Sequence, residues 1–305
     1  MATERTLRRI MAAEKRTMLA AAGAAAGAAV LVTVLRTWLM PLLRDVDTGL
    51  FSANIPAIAA TLAVLLALFL LGRRMGRRRI DIGGKCTMTL SLAAIFAGAV
   101  IGVCGLWDIY SLLTGGVSSS VAQSVARIAA VTKFLCVLFS LIGAVSLVRF
   151  GLQVASEDGT RIGMSTWPLL APVLWVWFRL VWYEMSYVSA VRLNESYFDY
   201  MMLIFEILFF FKLARFASGI GTTRPGMLMF FAGGAAVFSL SAPLTRALLY
   251  LRQDPEAYLA SEMAGVPDLA VGALALAFAF AMAGSALPAR ADEALPSAEL
   301  PAPKD

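Results

Sequence analysis

The sequence contains no histidine. That removes the side chain most often used as a general base and as a metal ligand, and it weakens any catalytic reading. Charge is scarce as well: 15% of the 305 residues are Asp, Glu, Lys or Arg, whereas a soluble domain carries about 25%. The three cysteines, Cys86, Cys104 and Cys136, fall in or beside apolar blocks and read as small hydrophobes rather than as a disulfide framework. No HExxH, no nucleophile–base pair, no carboxylates paired at helical spacing and no GxxxxGK[ST] phosphate loop occur. Long polar connections are missing too, which excludes a soluble kinase, transferase or ATPase domain. The expectation is a protein that is not an enzyme, with no cofactor and no metal.

What the chain has is apolar residues, 60% of the total, at a mean hydropathy of +0.78. They are gathered into blocks long enough to span a hydrocarbon core as helix. Eight blocks are read, at about 18–40, 54–72, 87–107, 128–148, 168–187, 199–217, 227–243 and 266–286. The predicted fold is therefore all-α: a polytopic integral membrane helical bundle of about eight transmembrane helices. Residues 1–17 read as a basic amphipathic segment on the cytoplasmic surface and residues 287–305, rich in Pro and Ala, as a disordered cytoplasmic tail. The first block is too long for a signal peptide and no cleavage site follows it, so it reads as an uncleaved anchor. "RQDPEAY" (Arg252 to Tyr258), in the last outer connection, reads as the start of a short surface helix.

Eight spans put both termini on one side. Of the 26 Lys and Arg residues, 18 then fall on the side of the termini, six on the other, and two, Lys133 and Arg179, inside spans. Positive charge accumulates on the cytoplasmic side, so the expected location is the cell membrane with both termini cytoplasmic. The net charge of +6 thus reports orientation and not nucleic-acid binding. Its densest cluster is "RRMGRRR", where Arg73, Arg74, Arg77, Arg78 and Arg79 suit anionic lipid or a cytosolic partner.

The stretch "WVWFRLVWYEM" (Trp175 to Met185) carries charge inside an apolar block. Arg179 lies about 16 Å along the fifth span, close to mid-membrane, and Glu206 lies at a matching depth on the sixth, roughly 10 Å below the outer face. They form a natural buried ion pair. Lys133 of the fourth span and Glu184 of the fifth form a second match nearer the outer face. Trp175, Trp182 and Tyr183 lie three or four residues from Arg179 and so share its helix face. They line a π-rich site or fill the bundle around a costly charge. Asp45, Asp108, Glu195 and Asp199 fall at outer interfaces, where an acid costs little.

Small-residue pairs, Gly23 with Gly27, Gly98 with Gly102, and Gly233-Gly234, allow close helix approach, and the first also suits a homodimer. Pro172 weakens the first turns of the fifth span. "SLVRFG" (Ser146 to Gly151) and "KLARFASG" (Lys212 to Gly219) end the fourth and sixth spans alike, which suggests either a duplicated hairpin or ordinary interfacial preference.

"DVDTGLFS" (Asp45 to Ser52) and "FFFKLARFASG" (Phe209 to Gly219) give the chain a resemblance to a group of bacterial multi-pass membrane proteins without assigned activity. The resemblance implies the order of spans and no function. Two functional expectations follow. The first is a solute-handling or channel-like protein with Arg179 and Glu206 in its path. The second is a non-catalytic membrane scaffold, homo-oligomer or partner subunit whose ion pairs only set helix docking. A cavity reaching Arg179 favours the first and a dry, closed bundle the second.

Overall fold

The computed structural model describes residues 2–39, 55–74, 87–114, 123–156, 166–186, 193–218, 225–251 and 265–284. These form eight helices: α1 (Ala2–Leu39), α2 (Ile55–Arg74), α3 (Thr87–Leu113), α4 (Gln123–Ala155), α5 (Thr166–Ser186), α6 (Leu193–Ala217), α7 (Pro225–Leu251) and α8 (Val266–Gly284). Each falls on one of the eight apolar blocks. Six of them (α1, α2, α3, α4, α7 and α8) are long and apolar enough to cross a bilayer. The protein is thus of the helical membrane type, with lipid as its surroundings. The two that fall short are α5 and α6, whose sequences carry Arg179, Glu184, Glu206 and Lys212 among their aromatics.

Several helices run past the ends expected from hydropathy. The basic segment before residue 18 continues into the first span as one helix, with no break to a separate surface element. Pro243, expected to close the seventh span, lies inside α7, which continues to Leu251. Proline offers no N–H to the carbonyl four residues back, so a helix tolerates it where other contacts hold the turn. In α5 the same loss at Pro172 frees the Pro168 carbonyl, and the Ser146 hydroxyl of α4 lies 2.6 Å from it, placed to donate. Arg77, Arg78 and Arg79, the "DVDTGLFS" motif, the short surface helix and the Pro- and Ala-rich tail lie outside the described residues.

Packing follows chain order. α3 packs on α4, α4 on α5, α5 on α6, α6 on α7, α7 on α8, and α8 returns to α3. Six helices therefore close a ring. α1 and α2 pack on each other and on the outside of α7, and α1 also touches α8. Small residues make α7 the hub. A Cβ on Gly233 would meet Leu68 of α2 at 3.1 Å, and one on Gly234 would overlap the Phe205 ring of α6. In the α3–α4 hairpin, a Cβ on Gly98 would come 2.7 Å from the Ala144 carbonyl oxygen, so only glycine admits this approach. Gly23 and Gly27 of α1 differ: nothing lies within 4 Å of a Cβ on either. Outward-facing Met88, Leu92, Phe96, Val103 and Leu106 run the length of α3 at helical spacing. Such a stripe suits contact with hydrocarbon.

Candidate functional site

The ring is apolar along most of its length. Buried phenylalanines at 198, 205, 209, 210, 238 and 278 fill it from α6, α7 and α8. Three charged side chains meet at one level. Arg179 of α5 donates from Nη1 to Asp268 Oδ1 at 2.5 Å and from Nη2 to Asp268 Oδ2 at 3.0 Å. This two-point fork is the strongest geometry available to a guanidinium and a carboxylate. The Arg179 guanidinium carbon lies 4.9 Å from the ring centre of Trp175, which covers one face of the cation. Glu206 of α6 stands next to it: its Oε1 accepts from the Ser239 hydroxyl of α7 at 2.7 Å, and its Oε2 lies 4.0 Å from Arg179 Nη1. The Oε2 atom is buried and has no hydrogen-bond partner. Both acid side chains are 0% exposed and that of Arg179 is 12% exposed.

Helix geometry explains Asp268. It occupies the first turn of α8, and its Oδ2 accepts from the Gly265 N–H at 2.6 Å. A first-turn acid that reaches back to the N-cap amide is half of a capping box, and the positive end of the helix favours its charge. The carboxylate therefore caps a helix and holds an arginine at the same time. α5 and α8 do not pack along each other; they stand opposite in the ring. The Arg179–Asp268 bridge thus crosses the ring's interior. Cys136 of α4 lies 4.0 Å from the Trp175 carbonyl, one turn of α5 before Arg179.

The structure brings Arg179 and Glu206 together, as their depths predict, but the hydrogen bonds of Arg179 go to Asp268. Asp268 escaped the reading of the sequence because an acid at a helix start is ordinary. The available signal was "GVPDLAVG" (Gly265 to Gly272), where a capping pattern opens an otherwise uncharged span. The expected Lys133–Glu184 pair does not form. Lys133 lies 3.8 Å from Asp108 and 5.5 Å from the ring centre of Trp182, while Glu184 is exposed. Asp108 wins because α3 and α4 pack tightly as a hairpin and bring it beside Lys133. Of the expected aromatic lining, Trp175 alone covers Arg179. Trp182 serves Lys133, and Tyr183 is buried edge-on against Tyr200 of α6, 5.1 Å between ring centres. Arg73 and Arg74 end α2 and are exposed.

A second charged pair joins α6 to α7. Asp199 of α6 is 1% exposed and accepts from Arg246 of α7 at 3.1 and 3.3 Å. The sequence places Asp199 at the outer edge of the sixth block, and Arg246 lies three residues past the end expected for the seventh. A groove of about 390 Å³ between α4 and α5 is lined by Leu141, Ile142, Val145, Ser146, Arg149 and Pro168 and holds none of the central charges. No known protein family, curated protein or solved structure matches the chain.

Proposed function

We propose that the protein handles a small solute in the membrane, as a transporter or channel, at the centre formed by Arg179, Asp268 and Glu206. In this reading the chain crosses the cell membrane eight times, α5 and α6 included, with both termini cytoplasmic and no catalytic role. Arg73 and Arg74 then face the anionic inner leaflet.

The observation that supports the reading is the route of the Arg179–Asp268 bridge. An ion pair that only docks two helices joins helices that already touch. Arg246–Asp199 is of that kind, because α6 and α7 pack together. Arg179 instead reaches across the ring to α8, a helix with which its own shares no extensive packing. Charges placed in a bundle's interior are a recurrent mark of solute and ion paths. The burial of both acids describes a closed state, with the bridge as its latch.

The scaffold reading draws on the same burial, and on the full satisfaction of Asp268 by Arg179 and Gly265. Proteoliposomes separate the two. Asp268→Asn, purified as a monodisperse species and reconstituted beside wild type, opens the latch. Dye-loaded vesicles carrying it are expected to leak protons or small ions several-fold faster than wild-type vesicles. Folded Asp268→Asn and Arg179→Leu vesicles as tight as protein-free ones would remove the solute reading and leave the scaffold.

A further inference from the structure

We infer that Glu206 and Asp268 share one exchangeable proton, and that Arg179 binds whichever of the two carboxyls lacks it. This inference rests on the solute reading of the centre, and it identifies the coupled ion as a proton.

The argument begins with a count of charges. Among the described residues, the centre holds one guanidinium and two carboxyls, all deeply buried. One cation neutralises one carboxylate. The two carboxyls flank the same Arg179 nitrogen, at 2.5 Å and 4.0 Å, and two ionised carboxylates so close in a poorly solvated site are strongly disfavoured, so one of the two takes up a proton. The proton belongs to the pair rather than to either residue alone.

The hydrogen bonds say where it sits in this state. Asp268 accepts from both Arg179 nitrogens and from the Gly265 amide, which suits a carboxylate. Glu206 accepts only from the Ser239 hydroxyl, and its Oε2 has no hydrogen-bond partner. A neutral carboxyl bears such poor solvation at far lower cost than a charged one. The proton therefore rides on Glu206 Oε2.

The groups that face Glu206 from the surrounding helices make it movable. α5 presents Arg179, α7 presents Ser239, α8 presents Asp268, and Cys136 of α4 meets the Trp175 carbonyl of α5, one turn before Arg179. The Arg246–Asp199 pair lies two turns away along α6 and is neutral as a pair. Arg179 has two acceptors within reach, at 2.5 Å and 4.0 Å. In the second state the O–H bond at Glu206 breaks and the proton passes to water. Arg179 then swings to Glu206, and Asp268, released, takes a proton from water. Charge balances before and after. The latch opens at Asp268 without leaving any buried charge unpaired.

Infrared spectroscopy of the full chain in lipid nanodiscs at neutral pH reads this directly, because a protonated carboxyl has a C=O stretch distinct from that of a carboxylate and sensitive to deuterium exchange. The wild type is expected to show one buried protonated-carboxyl band. Glu206→Gln, nearly isosteric and able to keep the Ser239 contact, should abolish it. Asp268→Asn should abolish it too, since Arg179 then turns to Glu206 and ionises it. Arg179→Leu should raise its intensity roughly twofold, as both carboxyls go neutral. A wild type with no such band, or a Glu206→Gln protein that keeps it, overturns the inference. The vesicle leak of Asp268→Asn is scored separately. Tight vesicles with the band pattern intact would sink the solute reading and leave the shared proton standing.

Discussion

Arg179→Leu is the substitution to which this fold should be most sensitive. It removes the guanidinium that stands between Asp268 and Glu206, both 0% exposed. Breaking a buried pair by deleting one partner costs about 3–5 kcal/mol. Two effects pull the figure down: the stranded acids can take up protons, and polar helix contacts in membranes average only about 0.6 kcal/mol, with a maximum near 1.7, because the unfolded state in lipid also finds partners. The expected loss is therefore about 3 kcal/mol. Asp268→Leu should cost less, about 2 kcal/mol, because Glu206 stands 4.0 Å from Arg179 and can replace it; most of this loss is then the helix cap. The double variant should fall short of the sum of the singles by about 1–2 kcal/mol, which is the signature of direct coupling. Unfolding in mixed micelles by added denaturing detergent, followed by tryptophan fluorescence, measures all three. If both singles lie within about 0.5 kcal/mol of wild type, the charges are hydrated and the bridge does not close the ring. If the losses simply add, Arg179 and Asp268 do not interact and the geometry argued above is wrong.

Two further outcomes test the scaffold around the centre. Asp199→Leu should destabilise by about 3 kcal/mol, since it strands Arg246 in a buried site, and Asp199→Leu with Arg246→Leu should recover most of that in the same unfolding assay. Gly98→Leu should prevent a folded, monodisperse protein, because its side chain would enter the Ala144 carbonyl and the Val148 side chain of α4. Gly23→Leu, which meets nothing within 4 Å, should leave the unfolding midpoint unchanged; a large shift there would mean that this face of α1 is covered.

How much of this was legible beforehand depends on what is local. Hydropathy, helix length and the depth of a residue along its helix are read by counting, at about 1.5 Å per residue. The all-helical membrane architecture, the eight helical blocks and the nearness of Arg179 to Glu206 follow from the sequence on that basis. So does the concentration of charge in α5 and α6, the two helices too polar to read as simple spans. Which way a residue points around its helix axis is not local. α6 is rich in large apolar side chains on every side, so periodicity could not say which face turns inward. Helix ends were also underestimated, because a charged residue looks like the edge of a span whether it meets water or a partner. Asp199, expected at the outer interface, is instead 1% exposed and paired with Arg246, whereas the Asp108 side chain keeps 43% exposure. The decisive contact, Arg179 with Asp268, joins residues 89 apart in the chain on helices that do not pack along each other. Only closure of the ring, set by which small residues let which helices touch, brings them together. The sequence by itself determined that charge would be buried in this membrane bundle. The tertiary structure decided that one cation would stand between two acids, because only packing sets which faces meet at one depth.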